Sequence, residues 1–188
     1  MYQLGLFIFI FFYAASLHAE PTKIIIYQAY TQESALNSHL FVAQRYAGSC
    51  WTRSLANPGR SDAWRCQASN VILDPCFQDG NSLACVTTPW SHKATILDLD
   101  APLHRKTALK IDAKTAQPWA VELANGLHCT FLTGASVIIN NMRLNYTCDR
   151  YRYSILGQID RSHTPWTVHL YDFHYKIITK IPVTTIWF

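Results

Sequence analysis

The side chains that could do chemistry in this chain are few. Glu122 lies in Trp119–Ala124, where Trp119, Val121 and Leu123 alternate with Ala120, Glu122 and Ala124. A strand carboxyl can act as general acid or nucleophile when a second carboxyl faces it across a cleft. Asp98, Asp100, Asp149, Asp160 and Asp172 are the acids available. A hydrolase would pair Glu122 with Asp149 or Asp160, within about 10 Å. Without such a partner, a strand glutamate faces solvent. His169, Asp172 and His174 form a second candidate, in H-L-Y-D-F-H. On a continuous strand His169 faces one side and Asp172 and His174 the other, so the trio converges only if the chain turns at Asp172.

The six cysteines are Cys50, Cys66, Cys76, Cys85, Cys129 and Cys148. Their spacings fit no zinc ribbon, and neither Cys-x-x-Cys nor His-x-x-x-His occurs, so no metal site is expected. An even count in an exported chain implies three disulfides. Six cysteines permit fifteen pairings. Pairing between sequence neighbours is expected here, Cys50–Cys66, Cys76–Cys85 and Cys129–Cys148, because a hairpin could close each short loop. Oxidised cysteines are not nucleophiles. There is no Gly-x-Ser-x-Gly elbow and no Ser-x-x-Lys, and none of the seven glycines lies in a phosphate- or dinucleotide-binding pattern. No cofactor is expected, and the reading leans away from an enzyme.

The elements that would carry these residues are mostly strands. Gln117–Cys148 reads as a meander: Trp119–Leu123, the hairpin signal Asn125-Gly126, His128–Leu132, a turn at Thr133-Gly134-Ala135, Val137–Ile139, the turn pair Asn140-Asn141, and Leu144–Cys148. Ala63–Cys66, Asn70–Leu73, Thr95–Leu99, Arg150–Tyr153, Ile155–Gly157, Trp166–Tyr171, Tyr175–Ile178 and Val183–Trp187 add β character, and Lys23–Tyr27 reads as a short strand or an N-terminal arm. Asp74-Pro75 reads as the start of a turn, and Pro182 as an edge or bulge. His104–Lys114 reads as a basic surface segment. One helix is expected, over Thr31–Tyr46: Thr31 or Ser34 caps it, and Leu36, Leu40, Ala43 and Ala47 recur at helical spacing. Gly48 would stop it.

Met1–Ala19 has the apolar run and small-residue end of a secretory signal peptide. Its apolar stretch is shorter than the roughly 20 residues a membrane helix needs. The expected product is one domain over residues 20–188 with no transmembrane segment, secreted or periplasmic. The net charge of +4 is mild and spread along the chain, which excludes a nucleic-acid partner.

Several phrases stand out: C-W-T-R-S-L-A (Cys50–Ala56), D-A-W-R-C (Asp62–Cys66), D-P-C-F (Asp74–Phe77), P-W-A-V-E-L-A-N-G-x-x-C (Pro118–Cys129), T-G-A (Thr133–Ala135) and L-N-Y-x-C (Leu144–Cys148). In these the chain resembles a group of exported bacterial cysteine-rich proteins with no assigned activity. The resemblance runs from about Cys50 to Trp187. It implies export and carries no catalytic residue over. L-N-Y-T-C-D (Leu144–Asp149) also resembles a segment of the small periplasmic lysozyme inhibitors, which are β-barrels.

The expectation is a mainly β, disulfide-stabilised barrel or sandwich with one N-terminal helix. Its expected function is a non-enzymatic module that binds a cell-envelope component or a protein. The alternatives are an envelope hydrolase using Glu122 and an inhibitor of the lysozyme type. Exposed aromatic and arginine side chains around Arg150–Tyr153 would favour binding.

Overall fold

The computed structural model describes residues 20–99, 101, 103 and 111–188. The expected leader Met1–Ala19, Asp100 and part of the basic segment (104–110) lie outside them. All regular structure among the described residues is β. It forms two closed sheets.

The first barrel is a meander of β2 (Phe41–Arg53), β3 (Ala63–Ala68), β4 (Val71–Asp79), β5 (Ser82–Cys85) and β6 (Lys93–Leu99). Neighbours are antiparallel, so closing an odd number of strands makes β2 and β6 parallel. The second barrel contains β7 (Ala120–Leu123), β8 (His128–Phe131), β10 (Met142–Cys148), β11 (Tyr153–Asp160), β12 (Thr167–Asp172) and β13 (Ile177–Trp187). These pair in the order β7–β8–β10–β11–β12–β13, and β13 returns to β7. β1 (Lys23–Ile25) lies parallel on β13, and β9 (Ile138–Ile139) hairpins onto β10.

The ring closes at a proline. β13 pairs with β12 up to Pro182 and with β7 from Val183 onward. Pro182 has no N–H to donate, so it suits the residue where the strand changes partner. Pro75 is placed on the same logic. No turn starts at Asp74-Pro75: β4 runs straight through, and both residues face the single Arg65 across a bulge.

The expected helix over Thr31–Tyr46 is absent. Residues 31–40 form turns, with Thr31 N donating to Ala35 O and Leu40 N to Asn37 O. Ser34 has a φ of 64°, and Asn37 Oδ1 contacts the His39 ring at 2.8 Å. Such short polar side chains compete locally with helical hydrogen bonds. From Phe41 onward the chain is β2. Two leucines and two alanines offer a helix little apolar surface, while Phe41, Val42, Tyr46, Cys50 and Trp51 favour a strand. β6 supplies the partner edge. Arg150–Arg152 are also no strand; they form the turn between β10 and β11, closed by Tyr153 N on Arg150 O, and Tyr153 opens β11.

All three disulfides join residues directly opposite on adjacent strands: Cys50–Cys66, Cys76–Cys85 and Cys129–Cys148. Each staples one barrel internally. Cys66, Cys76, Leu83 and Leu97 fill the first barrel. Val121, Cys129, Tyr146, Ile155, Val168 and Ile186 belong to the core of the second. A third cluster, with Tyr27, Phe77, Ala84, Ile96, Trp119 and Ala120, joins the two.

Tyr146 is fully buried, its hydroxyl donates to Pro118 O at 3.0 Å, and it accepts from Gln117 Nε2. Burial pushes its phenol well above the ordinary tyrosine range. Tyr146→Phe keeps the ring and strands both partners. It is expected to cost about 1–3 kcal/mol, read from the urea midpoint.

Candidate functional site

Glu122 sits on the outer face of the second barrel, since Val121 and Leu123 on either side of it point inward. His128 stands opposite it across the β7–β8 hairpin, and Asp149 follows Cys148 on β10, whose partner is Cys129. The three side chains meet. His128 Nε2 lies 3.6 Å from Glu122 Oε1, and Nδ1 lies 3.8 Å from Asp149 Oδ2. Trp90, from the loop between β5 and β6, stacks on the imidazole at 4.5 Å. It also meets Trp187 edge-on at 5.6 Å and packs against the cluster that joins the barrels. All three polar groups are partly exposed.

Glu122 and Asp149 therefore do share a neighbourhood, as a two-carboxyl site requires. What lies between them is the His128 ring. Glycoside hydrolysis needs that space for the sugar and a water. Both imidazole nitrogens face acids, so neither is aimed at a serine or cysteine nucleophile. The cluster can hold a proton and link the barrels through Trp90.

The other sequence candidates are committed elsewhere. Asp160 bonds Lys180 Nζ at 2.7 Å and Ser162 Oγ at 2.5 Å, and these hold its carboxyl far below the usual range. Ser162 also touches His163 Nδ1 at 2.6 Å. Here the hydroxyl sits between acid and imidazole, whereas catalysis places the imidazole in the middle. Asp98 pairs with Arg45 at 2.7 Å. The chain does turn at Asp172, but His169 lies within β12, opposite Leu156 and Lys180. No group of three metal-ligating side chains occurs among the described residues.

Asp172 organises a different surface. The strand pairings bring the β7–β8, β10–β11 and β12–β13 turns to one end of the second barrel. There Arg152 grips Asp172 with Nε at 2.9 Å and a terminal nitrogen at 2.5 Å. The same carboxyl accepts from His174 N at 2.8 Å and Tyr175 N at 3.1 Å, which fixes the hairpin turn. Phe173 N donates to Arg152 O, so the two turns are also joined through backbone. The guanidinium lies 4.6 Å from the Tyr175 ring centre and 5.2 Å from that of Tyr153. Around this scaffold Tyr151 is 94% exposed, Tyr175 63% and Phe173 42%, beside Arg150 and Lys176.

Arg152 holds the Asp172 carboxyl at about 2, first through its hydrogen bonds and helped by the His174 and Tyr175 amides. A carboxyl depressed in the folded state contributes stability above its ordinary value near 4 and loses it as pH falls towards 2. Melting curves of wild type and Asp172→Asn should therefore differ most near pH 6 and converge by about pH 2.

No protein-family model matches this chain, and no match was found among curated proteins or solved structures. The functional reading rests on the geometry alone. His128 and Trp90 escaped sequence reasoning because their partners lie on other strands or in the other barrel. The Arg150–Tyr153 cluster was visible in sequence, but its union with Phe173–Lys176 needed the strand order.

Proposed function

We propose that the protein is a non-enzymatic exported module that binds a protein or another component of the cell envelope. The end of the second barrel formed by residues 149–153 and 172–177 is its contact surface. The observation that carries this reading is the exposure of Tyr151, Phe173 and Tyr175 around an arginine that is already immobilised. Interfaces are enriched in Tyr and Arg at their energetic centres. Rigid aromatic side chains lose little entropy on binding, and Asp172 has already fixed Arg152. Three disulfides fit an oxidising compartment outside the cytoplasm, secreted or periplasmic. No helix among the described residues is long and apolar enough to cross a membrane.

A second reading, hydrolysis by Glu122 with Asp149, draws on their meeting at His128. It must explain how substrate enters a gap filled by an imidazole. A third, inhibition of the lysozyme type, draws on L-N-Y-T-C-D. In that segment Asn145 and Tyr146 are buried, so contact would fall to the following turn, Asp149–Arg152.

The test is retention of the oxidised protein (residues 20–188) on three separate baits: purified peptidoglycan, lysozyme and solubilised envelope proteins. Tyr151→Ala with Tyr175→Ala should lower retention on the binding bait at least about tenfold, as hot-spot truncations do. Retention on none of the baits, or undiminished retention of the double variant, would reject this surface.

A further inference from the structure

β5 is shorter than the strands on either side of it. Its last residue, Cys85, pairs with Cys76 and Thr95. Val71–Asp74 of β4 and Lys93–Ala94 of β6 continue past that point with no strand of the described residues between them. The chain leaves at Val86, whose N–H bonds Pro75 O and whose side chain enters the cluster joining the barrels. The sheet is one strand short at this end of the first barrel. A groove of about 420 Å³ occupies the gap, lined among others by Gln44, Ile72, Leu73, Asp74, Lys93 and Thr95.

Backbone polarity says what fits there. Ser69 and Asn70 have φ of 45° and 67°, the two-residue turn that makes its flanking pair, Ala68–Val71, the hydrogen-bonded one. The next pair, Gln67–Ile72, is then open, and its N–H and C=O groups point outward. Gln67 O duly faces Gly48 of β2, 2.7 Å from where a Cβ at that glycine would stand. On the other side of the hairpin, the N–H and C=O of Ile72 face the gap. Across the gap, Ser91 Oγ accepts from Lys93 N at 3.1 Å and donates to Lys93 O at 3.2 Å. That hydroxyl stands where the peptide group of a neighbouring strand would be.

The side chains set the chemistry. Ile72, in the groove wall, is 54% exposed. Lys93 makes no ion pair among the described residues. Asp74, the acid of the groove, is already held by Ser54 Oγ at 2.5 Å, Leu55 N at 3.1 Å and Arg65 at 3.4 Å. The unmatched charge in the groove is therefore positive.

We propose that this gap binds an extended, acidic-apolar peptide segment of a partner protein. The segment supplies the missing length of β5, antiparallel to β4 and β6, and hydrogen-bonds the outward-facing backbone groups of Ile72. Its apolar side chains rest on Ile72, and an Asp or Glu side chain meets Lys93. The proposal stands apart from the aromatic end of the second barrel, and either can fail without the other.

The test is selection from random peptides displayed on phage against the folded, oxidised protein, followed by synthesis of the enriched sequences. Enriched peptides should alternate apolar residues with an Asp or Glu and slow amide exchange at Ile72. Lys93→Glu should weaken them roughly tenfold, and an acid-to-lysine exchange in the peptide should restore binding to that variant. Ile138→Ala, at an exposed position of the second barrel, should leave their affinity unchanged. No enrichment, enriched peptides that leave Ile72 exchange unaltered, or indifference to Lys93→Glu would each overturn the proposal.

Discussion

Replacing Trp119 with alanine is expected to cost about 3–5 kcal/mol, the largest single-residue effect in the molecule. The indole is 1% exposed and sits where the two barrels meet. It packs edge-on against Tyr27 at 5.2 Å and Phe77 at 5.7 Å. Its backbone joins two more strands, with Trp119 N donating to Trp187 O and Phe131 N donating to Trp119 O. Truncation leaves a cavity whose walls belong to different sheets, so local collapse cannot fill it without shifting one barrel. Urea unfolding of Trp119→Ala, Phe77→Ala and the double variant measures this. The coupling between the two rings should come to about 0.5–1.5 kcal/mol. A loss below about 1 kcal/mol for Trp119→Ala would mean that the barrels do not depend on this contact.

Removing the Cys129–Cys148 bridge should cost nearly as much. It closes a span of 19 residues in the second barrel, for which the chain-entropy model gives about 3 kcal/mol. Both cysteines are buried, so Cys129→Ala with Cys148→Ala adds a small packing loss. The urea slope m should rise together with the fall in midpoint, because the freed unfolded chain exposes more surface. An unchanged slope with a shift under about 1 kcal/mol would show that the strands hold this register without the bridge.

Much of this architecture could be read from local residue chemistry. Asn125-Gly126 marks the turn from β7 into β8, where Gly126 takes a φ of 77° and its N–H closes the turn on Leu123 O. Asn140 and Asn141 both take positive φ between β9 and β10. The neighbour pairing of cysteines follows the strand order, since each bridge crosses one pair of adjacent strands, β2–β3, β4–β5 or β8–β10. The failures came where a distant partner decided the outcome. Thr31–Tyr46 carries a weak helical period, and β6, about fifty residues away, turns its second part into a strand. Asp74-Pro75 looks like a turn until Arg65 opposite absorbs it as a bulge. Two barrels instead of one could not be foreseen, because the closing pairs β2–β6 and β7–β13 join segments far apart in sequence.

The candidate sites divide in the same way. Glu122 and Asp149 were recognisable as acids of interest, but the histidine between them was not, and it changes what the pair can do. Arg150–Tyr153 was recognisable as an aromatic–arginine cluster. Its role as half of a larger surface depends on Asp172 of the next hairpin gripping Arg152.

The binding and hydrolytic readings put different residues at the centre, so one comparison separates them. Wild type, Tyr151→Ala with Tyr175→Ala, and Glu122→Gln with His128→Ala would be measured side by side on peptidoglycan and on lysozyme. Retention and release of soluble fragments would be read from the same samples. The binding reading predicts retention without turnover, lost in the tyrosine variant and kept in the Glu122–His128 variant. Fragment release that survives loss of the tyrosines and disappears in the Glu122–His128 variant would contradict it and make the His128 cluster an active site.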